Sequence, residues 1–73
     1  MIEGYFVYDP NTGRMVFMSG NEVNREFHCG DCFELLVNSK WIPVRIEHSA
    51  GWYLIGLEGT ALDYEGCRAR IAK

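Results

Sequence analysis

Trp41-Ile42-Pro43-Val44-Arg45-Ile46-Glu47-His48, then Ser49-Ala50-Gly51, then Trp52-Tyr53-Leu54-Ile55-Gly56-Leu57, is the stretch that decides the fold. Ile42, Val44 and Ile46 alternate with Trp41, Pro43, Arg45 and Glu47. A hydrophobic period of two belongs to an extended strand, whose side chains leave opposite faces in turn. The small residues at 49–51 reverse the chain, and residues 52–57 return. The whole reads as a β-hairpin. Pro43 has no N–H to offer a ladder, so the strand is expected to be an edge or to be bulged there.

The same period extends in both directions. Upstream, Phe33, Leu35 and Val37 share one face, while Cys32, Glu34 and Leu36 share the other. Asn38-Ser39-Lys40 makes the reversal between this strand and the next. Residues 2–8 are rich in aromatic and β-branched side chains and form a further strand. It ends at Asp9-Pro10-Asn11-Thr12-Gly13, where proline pre-sets one corner and glycine supplies positive φ. Residues 14–18 complete that hairpin. Residues 22–27 are polar and make at best a short edge strand. Downstream, residues 58–66 are irregular, with room for one helical turn that carries Leu62 inward. Residues 67–71 form a last strand, with Cys67, Ala69 and Ile71 opposite Arg68 and Arg70. No segment sustains a helical period. The expectation is one all-β domain over residues 1–73, a small SH3-like barrel of about five or six short antiparallel strands.

The central stretch also resembles a known family. Cys29-Gly30-Asp31, the string from Trp41 to Glu47, and Gly51-Trp52-Tyr53-Leu54 are similar to a group of small uncharacterised proteins of Gram-positive bacteria. That group is a domain of unknown function, and its members often sit on mobile genetic elements. The likeness is strongest over residues 28–71 and looser over the first hairpin. It implies an SH3-like fold and no particular activity.

Composition narrows the function classes. A 73-residue chain with 14% aromatic residues has a small core that depends on large side chains. Its net charge of −3 opposes a nucleic-acid backbone. There is no apolar run long enough to span a membrane. The start, Met1-Ile2-Glu3-Gly4, lacks the pattern of a secretory signal, so a cytoplasmic location is expected. Three cysteines are an odd number, which suits free thiols or metal ligands better than a disulfide framework.

Three constellations carry chemistry. The first is a surface: Trp41, Arg45, Trp52 and Tyr53 bring aromatic and arginine side chains together, as interface anchors do. A structural role for the same aromatics, stacked across strands, competes with it. The second is the turn His28-Cys29-Gly30-Asp31-Cys32. Cys29 and Cys32, with Cys67 and His48, supply four candidate ligands for a zinc that would stabilise a small domain. The competing reading is a glycine turn flanked by buried cysteines. Redox or nucleophilic use of Cys29 lacks the helix N-terminus or placed histidine it would need. The third is nucleic acid, held by Arg45, Arg68, Arg70 and Lys73 with Trp41 or Tyr53 as stacking platforms. The expectation is a non-enzymatic interaction module, a monomer or weak homodimer with a protein partner and no cofactor. A nucleic-acid accessory protein and a zinc-stabilised domain are the alternatives.

Overall fold

A computed structural model describes residues 1–72. Seven strands occur in chain order: β1 (Ile2–Asp9), β2 (Arg14–Ser19), β3 (Glu22–Glu26), β4 (Cys32–Val37), β5 (Lys40–His48), β6 (Trp52–Ile55) and β7 (Arg68–Ile71). One 3-10 turn, Ala61–Tyr64, precedes β7. All strands join one antiparallel sheet in the order β3-β2-β1-β7-β4-β5-β6. The all-β expectation therefore holds. Two details differ. There are seven strands rather than five or six, and the sheet stays open, since β3 and β6 end it without pairing.

The local chemistry explains the turns. Asn38 and Ser39 both take positive φ, 52° and 66°, between the paired residues Val37 and Lys40. That is the two-residue hairpin whose twist matches its strands. In the first hairpin Gly13 sits at φ 72° and donates to the Asp9 carbonyl at 2.8 Å, while Asn11 N–H is held by Asp9 Oδ1 at 2.9 Å. The 3-10 turn buries Ala61 and leaves Leu62 53% exposed, so Leu62 does not point inward as expected.

The core lies on the inner face. Phe27 and Phe33 stack at 4.3 Å between ring centroids, and Phe6 packs against both at about 5.5 Å. Val44 and Ile46 from β5, and Ala69 and Ile71 from β7, join it, as their alternation predicts, together with Met15, Phe17, Leu35 and Leu54. Phe27 follows β3 directly and draws the chain across the end of the sheet. There Gly30 N–H donates to the Ile46 carbonyl, and Ile46 N–H to that of Asp31. β1 crosses close to β2 at Gly4, where any Cβ would drive into the Met18 carbonyl oxygen.

Candidate functional site: the outer sheet face

The bonds Ile46 makes with Gly30 and Asp31, just ahead of β4, fix the phase of β5. Its even-numbered residues turn their N–H and C=O groups toward β4, and its odd-numbered residues turn theirs away. β6 covers only the span from Arg45 to His48. Pro43 thus places its missing donor on a stretch of that side that no strand pairs, where Gly56 lies against the Pro43 carbonyl.

The outer face is built from the residues that alternate with the core. Cross-strand register sets Glu3, Arg70, Glu34 and Pro43 in one row across β1, β7, β4 and β5. Tyr5 and Arg68 are paired in the next row, and Leu36 and Trp41 are paired on the far side of it. Arg70 forms an ion pair with Glu34, and its guanidinium lies 4.3 Å over the Trp41 ring. Arg68 pairs with Glu3 at 2.7 Å, both about half exposed. Farther along β5, Arg45 pairs with Glu47 at 3.0 Å. Tyr5, Tyr53 and Ile55 are exposed on this face. Among the described residues no second layer covers it.

Three of the four expected contact residues therefore share the outer face: Trp41, Arg45 and Tyr53. Trp52 does not. It pairs with His48 on the opposite side and packs against the core. Its indole N–H donates to the Gly13 carbonyl at 2.9 Å, tying the first hairpin to β6 across the sheet's open end. Arg14 lies 5.3 Å from the Trp52 ring and donates from Nη2 to the Phe27 carbonyl and to His28 Nδ1, each at 2.9 Å. This latch lines a cleft of about 340 Å³ with Cys29 and His48 at its rim. The Trp52 indole N–H and Arg14 Nη2 bond to protein partners, while Arg14 Nε is buried without a hydrogen-bond partner.

The candidate metal ligands are spread out. Cys29 and His48 border the latch cleft. Cys32 opens into a separate apolar groove beside Pro43, Arg45 and Ile55. Cys67 packs against the core. Among the described residues no three His, Cys, Asp or Glu side chains gather as a metal would need. The Gly30 turn is held instead by Asp31, whose Oδ2 accepts from His28 N–H at 2.8 Å. Arg45, Arg68 and Arg70, the proposed phosphate contacts, each have a glutamate partner; Lys73 lies outside the described residues. Sequence reading missed Glu3, Tyr5 and Glu34. Their signal was present in the alternation of β1 and β4, but their neighbours are set only by cross-strand register.

A family model described as "Domain of unknown function (DUF5348)" matches residues 4–71. The chain belongs to this family. The match takes in the first hairpin as well as the central strands, so the family's span is the whole sheet. A crystal structure of a protein from Ruminococcus gnavus, a Gram-positive bacterium, is similar, with 38% identity and a TM-score of 0.83. It covers 94% of this chain and 99% of its own. No curated protein matches the chain. No helix among the described residues is long and apolar enough to cross a membrane.

Proposed function

We propose that the domain is a non-enzymatic docking module that receives a protein partner on its outer sheet face, with Trp41, Arg45 and Tyr53 among the contacts. The observation that carries this reading is the composition of a face with no covering layer. It interleaves aromatic side chains with arginines, the residue types enriched at interface centres. Each of its arginines is matched by a glutamate. A matched face suits a protein surface of alternating charge and offers little free positive charge to a phosphate backbone. Trp52 acts in this reading as a structural latch. Three free thiols, two of them exposed, accord with a reducing cytoplasmic setting.

The test compares immobilised wild-type protein with a Trp41→Ser/Arg45→Glu variant and with Arg45→Ser/Tyr53→Ser, each checked for folding by circular dichroism. The expected result is a defined protein retained by the wild type and lost by both variants. Equal retention by the folded variants overturns the reading.

A further inference from the structure

We propose that the occupant of this face is a second copy of the chain, docked about a two-fold axis that runs parallel to the strands between β7 and β4. The inference rests on the docking reading above and names its partner. It comes from the register. Tyr5 is level with Arg68, and Leu36 with Trp41. Carrying the Glu34–Arg70 register on by two residues sets Arg68 level with Leu36. Two rows result: Glu3, Arg70, Glu34, Pro43 and Tyr5, Arg68, Leu36, Trp41.

A two-fold axis along the strands keeps each row over itself and reverses its order. Placed between β7 and β4, it sets Arg70 against the partner's Glu34 and Glu34 against the partner's Arg70. In the other row Tyr5 meets the partner's Trp41, and Trp41 meets the partner's Tyr5. Opposite charges then face each other at the centre of the first row, and aromatic side chains face each other at the flanks of the second. Glu3 lies over the partner's Pro43 and Arg68 over the partner's Leu36, so no like charges meet. An isologous interface needs this self-complementarity, and a row ordered glutamate, arginine, glutamate supplies it.

The net charge of −3 on each copy opposes association at long range, but the patch itself is balanced. The patch holds two arginines and two glutamates, so the chain's −3 is carried elsewhere. Two copies can therefore meet here without like charges at the contact. Arg70 and Glu34 remain 31% and 27% exposed in the single chain, leaving each able to accept a second partner. Tyr5 is 46% exposed, a large aromatic surface still open to water.

Sedimentation velocity over a concentration series tests this with charge reversal. Wild type is expected to dimerise at millimolar concentration. Arg70→Glu and Glu34→Arg are each expected to weaken the dimer by more than about tenfold, because each places like charges across the axis. Mixing the two variants is expected to restore a dimer, since the mixed pair regains both opposite contacts. A purely intrachain role for the pair cannot produce rescue by mixing. Tyr5→Ser, an exposed change, is expected to stay folded and weaken the dimer, which keeps the test valid should a charge variant not fold. A wild type that stays monomeric, or a dimer indifferent to Tyr5→Ser and to both reversals, overturns the proposal. So does failure of the folded variants to recover on mixing. A monomeric wild type that still loses a different protein in the Trp41 and Tyr53 variants would refute self-docking and leave the docking reading standing.

Discussion

Trp52 hydrogen-bonds across the open end of the sheet, while Gly4 lets two strands approach where a side chain could not fit. Trp52→Phe keeps a ring but removes the donor and part of the packing against the core, His48 and Arg14. It is expected to cost about 2 kcal/mol, the hydrogen bond together with the lost packing, read as a lower urea midpoint at unchanged slope. Gly4→Ala is expected to cost more, about 3 kcal/mol, because the added methyl meets a backbone oxygen that the β1–β2 ladder holds in place. The contrast is not visible in the sequence. Trp52 stood out there as a contact residue because aromatic and arginine side chains together mark interfaces, although a structural role competed with that reading. Gly4 did not stand out, because a glycine in a strand shows no hydrophobic signal, and its reason lies in a chain segment fourteen residues away.

At the scale of elements, the strands with one apolar face were legible and the others were not. β5 alternates cleanly, and its buried Val44 and Ile46 follow from period alone. β3 is exposed along nearly its whole length, so hydrophobic alternation has nothing to report, and only pairing with β2 makes it a strand. The 3-10 turn misled for a different reason. Leu62 was the inward residue expected, but the turn buries Ala61, packs Tyr64 against the core and leaves Leu62 exposed. Of the two expectations for Pro43, an edge or a bulge, the unpaired edge holds, and it has a cost if it gains a donor. Pro43→Thr restores an N–H on the stretch of β5 that β6 leaves unpaired, a template for another strand. The expected outcome is faster aggregation at high concentration, followed by light scattering, with little change in the far-ultraviolet spectrum.

For the whole molecule, the faces were legible and the neighbours across them were not. Alternation alone set Arg68 and Arg70 opposite the core. That Arg70 meets Glu34, and Arg68 meets Glu3, requires pairs separated by 36 and 65 residues to fold into register. The cysteines show the same limit. Cys29 and Cys32 are close in sequence, yet they border different clefts, and Cys67 packs against the core. A thiol reagent is therefore expected to modify Cys29 and Cys32 quickly in the native protein and Cys67 slowly, with all three equal in denaturant. A rate for Cys67 matching the other two would show that β7 opens readily at its start.

The opposed placement of the two tryptophans gives the chain two built-in optical reporters. Trp41 lies beneath a guanidinium on the outer face, and Trp52 sits in the latch beside His48. Their emission arises from different surroundings, so Trp41→Phe and Trp52→Phe separate the two signals. Trp52 alone would then shift to longer wavelength when the first hairpin lifts from β6, and Trp41 alone would respond when a partner settles over Arg70. Hairpin opening and partner docking could be timed independently in one protein, without an added dye.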